Sequence, residues 1–185
     1  MSETNLLSST THINRKIRAK YPHWIDHALH PELDITGPTD PDFSLLDRYV
    51  HDRDLKIPVK GGVIYQKVKD NDILASCLNL QDGAAIIAMG REAFHKNFPG
   101  CKKLYLWKSV GQERSIDRLI FVPYVLDEET NADLVIRWAW TGAYFDTDNT
   151  VYRHPPKKVE EVKETKAVEE VKVVIEATEA TSQTP

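Results

Sequence analysis

Apolar positions recur in two different rhythms along this chain, and they stop abruptly near its end. From Ile13 to Tyr21 the spacing of Ile13, Ile17 and Tyr21 is four residues, which places them on one helical face and predicts a short helix ending at Pro22. A second short helix is predicted from His23 to Leu29, closed by His30-Pro31. Asp34 to Ser44 contains Gly37, Pro38 and Pro41 and reads as loop. Phe43 to Val50 then suits one or two helical turns with Leu45, Leu46, Tyr49 and Val50 facing in.

The regular core is expected from about Leu55. Val63 to Val68 is rich in β-branched residues and predicts a strand entered through Gly61-Gly62. Asp72 is a candidate N-cap for a short helix through Leu78, and Asp82 for a longer one over Gly83 to Phe98. Gly90 lies on the apolar stripe of that longer helix, where glycine costs about 1 kcal/mol against alanine, so a close approach to a neighbour is expected there. Pro99-Gly100 stops the helix.

Three strands follow, at Leu104–Val110, Leu119–Leu126 and Leu134–Thr141. The second is apolar on both faces and so central, although Pro123 requires a bulge or a free edge on its side. In the third, Leu134, Ile136, Trp138 and Trp140 alternate with Val135, Arg137 and Ala139, a pattern with one face turned inward. The short polar connections Gly111–Asp117 and Asp127–Asp133 fit hairpins rather than crossovers. The fold class is therefore α+β: an antiparallel sheet in the order strand, helices, three-strand meander, with one main helix packed on it and a helical N-terminal extension.

Beyond Pro155-Pro156 the character changes. Lys157–Pro185 has no aromatic residue and no glycine, and consists mainly of Val, Glu, Lys, Ala and Thr. Ordering each residue costs roughly 1–2 kcal/mol of backbone entropy, which such a segment cannot offset by burial. The expected organisation is a flexible N-terminus over 1–12, one globular domain over 13–156 and a disordered charged tail over 157–185. Deleting Lys157–Pro185 should accordingly shift stability by less than about 1 kcal/mol, the size of a real tertiary contact. Thermal denaturation of the shortened chain measures this.

Composition narrows the function classes. The chain has 185 residues, 28% of them charged, with a net charge of −4. Half of that excess lies in the tail, so the remainder carries no overall electrostatic footprint for nucleic acid. Cys77 and Cys101 make no disulfide framework and suggest a reducing, cytoplasmic setting. No run reaches the ~20 apolar residues of a membrane helix, so no membrane partner is expected. Phosphate-binding glycine loops, nucleophile elbows and dinucleotide fingerprints are absent from the sequence, and no cofactor is expected.

Four groups of residues carry candidate chemistry. Tyr105, Trp107, Tyr124, Arg137, Trp138, Trp140 and Tyr144 crowd the sheet, as core or as a binding face. With Lys102, Lys103, Lys108, Arg114 and Arg118 nearby, those rings could stack single-stranded bases. On a helix, His23, His27 and His30 would stand within reach of one Zn²⁺, although the glutamate of a zinc-protease helix is missing. Asp146 to Asn149 offers alternating carboxylates to a hard cation, or simply a turn. Arg15, Lys16, Arg18 and Lys20 form a basic arm, most simply a solvated helix face.

The reading this supports is a non-enzymatic binding or assembly protein that uses an aromatic sheet face or edge to meet a protein partner or a second copy of itself. Its size and charged tail would suit a viral or phage accessory protein. A single-stranded nucleic-acid binder is the first alternative, and a metal-dependent enzyme built on the three histidines the second.

Overall fold

A computed structural model describes residues 11–49, 58–128, 133–145 and 151–155. Among them are nine strands and two helices: β1 (Ile25–Ala28), β2 (Asp47–Tyr49), β3 (Val59–Lys60), α1 (Gly61–Asp70), α2 (Leu80–Asn97), β4 (Lys103–Tyr105), β5 (Gly111–Glu113), β6 (Ile120–Leu126), β7 (Val135–Trp140), β8 (Tyr144–Phe145) and β9 (Val151–Arg153). The fold is α+β with antiparallel sheets. The expectations for 1–10, for Val50 to Ile57, for the Asp146–Asn149 loop and for the tail lie outside the described residues.

The main sheet is built on β6. One edge of β6 pairs with β7 over six positions, from Phe121 with Trp140 to Leu126 with Val135. Its other edge is shared by β4, which pairs at Leu126 to Tyr124, and β5, which pairs at Phe121 and Ile120. β1 extends the sheet beyond β5. Leu104 to Val110 was expected as one strand, but between β4 and β5 the chain makes a 3-10 turn at Trp107–Ser109. Pro123 faces this interruption. Its carbonyl accepts from the Leu106 amide at 2.9 Å, so its missing N–H falls where the ladder is already broken.

The two faces of the sheet bury two apolar clusters. Leu104, Val125, Ile136 and Trp138 meet Ile86 and Phe94 of α2. Tyr105, Val122 and Tyr124 meet Ile64, Tyr65 and Val68 of α1. The expectation of a strand at Val63–Val68 is thus wrong. Gly61, Ile64, Tyr65 and Val68 are buried at spacings of three, four and seven, the period of a helix, and this face packing overrides the β-branched composition. Gly61 is needed at the helix start because a Cβ there would lie 2.6 Å from the Phe145 ring.

Several local expectations are corrected by tertiary contacts. No helix forms over Ile13–Tyr21. A turn at Arg15 to Ile17 leaves Ile13 buried and Ile17 exposed. His23–Leu29 is not helical, because Ile25–Ala28 pairs with β5, with a register shift between Ile25 and His27. The N-terminal extension therefore carries no α-helix, and its first 3-10 turn is at Leu33–Ile35. Phe43–Leu45 does form a 3-10 turn, but Leu45 points outward. Asp72 caps no helix and takes a positive φ of 55° after α1, before a 3-10 turn at Leu74–Ser76. Helix α2 is capped by Asn79, and Asp82 is the reciprocal member of a capping box. Gly90 has φ 85° and ψ 169°, and nothing lies within 4 Å of where its Cβ would be. It serves a kink in the helix and no close approach.

Candidate functional site

The seven sheet residues singled out in the sequence separate into three settings. Tyr105 and Trp107 are core side chains, Trp107 being only 1% exposed. Their rings stack with each other at 5.7 Å, and Tyr105 stacks on Phe145 at 4.7 Å. Tyr124 is half-buried beside Tyr105, and Arg137 lies opposite Tyr124 in the ladder. Trp138 is half-buried on the other face, within 5.7 Å of Trp24 and 5.8 Å of Tyr21. Trp140 and Tyr144 are the exposed rings, at 45% and 68%. A base-stacking platform drawn from this set would have those two rings and no more.

Trp140 and Tyr144 stand at one end of the β6–β7 hairpin. The Trp140 ring lies against Gly142, where a Cβ would fall 2.2 Å from it. Trp140, Val63, Gly62 and Ile120 line a shallow concavity of about 390 Å³, with Lys60, Asp117 and Arg118 around them. The Lys60 ammonium also sits 5.6 Å from the centre of the Tyr144 ring. Val63 is exposed, and Ile116, next to Asp117 in the chain, is fully exposed.

The three histidines do not converge. His23 lies in the turn before β1, His27 in the strand and His30 beyond it, so no helical face carries them. His27 is exposed beside Asp26 at 3.0 Å, and His30 is hydrogen-bonded to the Tyr65 hydroxyl. Burial lowers the pKa of His30. Among the described residues, no three His, Cys, Asp or Glu side chains are placed to hold a metal ion.

A buried polar cluster, by contrast, was not anticipated. Asp82 has no exposed surface and receives Arg15 Nη2 at 2.5 Å and the Asn79 amide at 2.9 Å. His154 Nε2 is 3.8 Å from Oδ2, the oxygen that also accepts from the Asn79 amide. Burial alone would raise the Asp82 pKa, but His154, Arg15 and the Asn79 amide outweigh it and hold the carboxyl below its ordinary value. Arg15 also donates to the Pro38 carbonyl at 2.8 Å, which pins the 11–38 segment onto the start of α2. It is no solvated arm residue. Asn79 completes this pinning by donating to the Asp34 carbonyl at 3.1 Å.

Asp34 forms the second centre of the cluster. It accepts from Ser109 Oγ at 2.8 Å and from the Tyr21 hydroxyl at 3.0 Å. Burial raises its pKa, with those two donors opposing the rise. Tyr21 is raised too, by burial and then by the Asp34 charge. Lys108 feels the charge of both centres and is 1% exposed. Its pKa is lowered by burial, against the attraction of Asp82. Among the described residues its ammonium has neither a hydrogen bond nor an ion pair. Lys108 and His154 line a cavity of about 780 Å³ under the Gly37–Leu45 loop.

Two sequence signals pointed to this cluster. Asn79-x-x-Asp82 before an apolar run is a capping pattern. Lys108 is also the one charge within Leu104 to Val110. The class defined by fold and surface is an α+β domain with a mixed apolar and charged patch. No family model, curated protein or solved structure matches the chain.

Proposed function

We propose that the protein is a non-enzymatic assembly protein that meets a second copy of itself at the Trp140 end of β7. The supporting observation is that Val63 and Trp140, both exposed, line one shallow concavity, with the exposed Tyr144 ring joined to its edge through Lys60. Scattered surface apolar residues need no explanation, but a grouped set with two aromatic rings is what an interface centre contains. Lys60 and Arg118 stand there with Asp117, so the patch carries both charge signs. A two-fold interface requires such self-complementarity, since each residue meets the same patch on the other copy.

β7 supports this reading further. Among the described residues it pairs with β6 alone, leaving its outer edge for antiparallel pairing. A cytoplasmic, reducing setting suits Cys77 and Cys101, which are both buried and in no disulfide. Burial pushes the Cys77 thiol up to about 12, away from thiolate chemistry. No helix among the described residues is long and apolar enough to cross a membrane.

Sedimentation velocity over a concentration series tests the proposal. A dimer is expected, and Trp140→Ser combined with Tyr144→Ser should weaken it by about tenfold or more, as loss of aromatic anchors does. Retained thermal stability in that variant would show that the effect is on assembly. A strict monomer at every concentration refutes the reading.

A further inference from the structure

The cluster around Asp82 leaves one buried cation without a bonded partner among the described residues. Arg15 and His154 approach the Asp82 carboxylate, and the second carboxylate, Asp34, accepts from Ser109 and Tyr21. Arg15 satisfies its charge on Asp82 and its remaining N–H groups on Asn79, Gln81 and the Pro38 carbonyl. Lys108 is the cation left over. A buried ammonium without a partner is costly, and it takes its acceptors from whatever fills the space beside it.

That space is the cavity of about 780 Å³ that Lys108 and His154 share. Its size falls within the ordinary range for small-molecule sites. The walls are largely apolar, with Pro38, Pro41, Leu45 and Ala75 among them. Three further carboxylates, Asp40, Asp42 and Asp72, also line it and are exposed. Asp40 is bonded to His12 at 2.9 Å, and Asp42 accepts from the Ser44 amide at 3.0 Å, so neither is directed at Lys108 by its own hydrogen bonds. Their charge at the mouth disfavours a multiply charged anion. A single negative charge that reaches Lys108 is favoured, carried on a body that suits proline and leucine walls.

We propose that this cavity binds a small organic monocarboxylic acid, its carboxylate against Lys108 and His154 and its apolar body against Pro38, Pro41 and Leu45. The site stands apart from the Trp140 surface and does not rest on the assembly reading. Lys108 supplies the counter-charge and His154 a second polar group beside it. The bound acid gives the Lys108 ammonium the acceptor it lacks among the described residues.

The decisive comparison uses the full chain and two probes of the same shape, phenylacetate and phenylacetamide. Titration calorimetry, with amide chemical shifts read at Ser76, Lys108 and His154, reports binding and its place. Phenylacetate is expected to bind and to shift those three residues. Phenylacetamide, which lacks the charge, should bind about ten- to a hundredfold more weakly, the worth of a charge-assisted hydrogen bond. Lys108→Met keeps most of the side-chain length without the charge and should abolish the difference between the two probes. The proposal is overturned if acid and amide bind equally, if neither binds, or if Lys108→Met leaves phenylacetate affinity unchanged. The acid–amide comparison on the unaltered chain decides the matter even if the variant does not fold.

Discussion

Lys108 interrupts the apolar run from Leu104 to Val110, and folding takes its charge out of water without giving it a bonded partner. Its folded pKa lies below the value of the unfolded chain, so its protonated form weighs against the fold. That penalty is complete below the folded pKa. As pH rises through the folded pKa, the native state loses its proton first, and the penalty is gone above the ordinary lysine value of about 10.4. Lys108→Met should therefore be more stable than the parent at neutral pH, by roughly 1–4 kcal/mol on the scale of buried charges replaced by apolar groups. The gap should close as pH is raised. Urea denaturation at several pH values measures it, and a variant less stable than its parent at neutral pH contradicts the account. The sequence marks Lys108 as out of place but gives no sign of what surrounds it. Arg15 shows the same limit more sharply: it reads as one of four surface cations because its partner, Asp82, lies 67 residues further on.

At the level of elements, period and composition gave conflicting signals, and packing decided between them. In α1 the helical spacing of Gly61, Ile64, Tyr65 and Val68 outweighs β-branched content. In β1 the opposite occurs, and a segment expected to be helical is drawn into a strand by pairing with β5. β6 and β7 were legible because an apolar run and an alternating one are joined at hairpin spacing. Gly90 was legible only as an anomaly. Its φ and ψ belong to a region open essentially to glycine, so Gly90→Ala should cost about 1–3 kcal/mol through backbone strain alone. A Cβ there meets nothing, so the cost is not steric crowding by a neighbour. Thermal denaturation would read the loss. A gain in stability would mean instead that α2 straightens when it is allowed to.

For the whole molecule, the α+β class and the antiparallel pairing of the last strands followed from the sequence, whereas the role of residues 11–49 did not. This segment has little regular structure of its own, yet it supplies β1, β2, Arg15, Tyr21 and Asp34 to surfaces formed elsewhere. A chain beginning at Tyr21 would leave Asp82 buried without Arg15. It should lose about 3–5 kcal/mol, the cost of breaking a buried pair from one side. Equilibrium unfolding of that shortened chain checks this, and a change under about 1 kcal/mol would show that the strap is dispensable.

The pairing of β2 with β9 joins Asp47–Tyr49 to Val151–Arg153. On the ribosome, these two strands emerge about a hundred residues apart. At roughly 5–20 residues per second, β2 waits for several seconds before its partner exists. During that interval the loop that roofs the Lys108 cavity has its downstream anchor unmade, and His154 has yet to arrive. Long-range closure of this kind is intrinsically slow, so the cavity is among the last features the nascent chain completes.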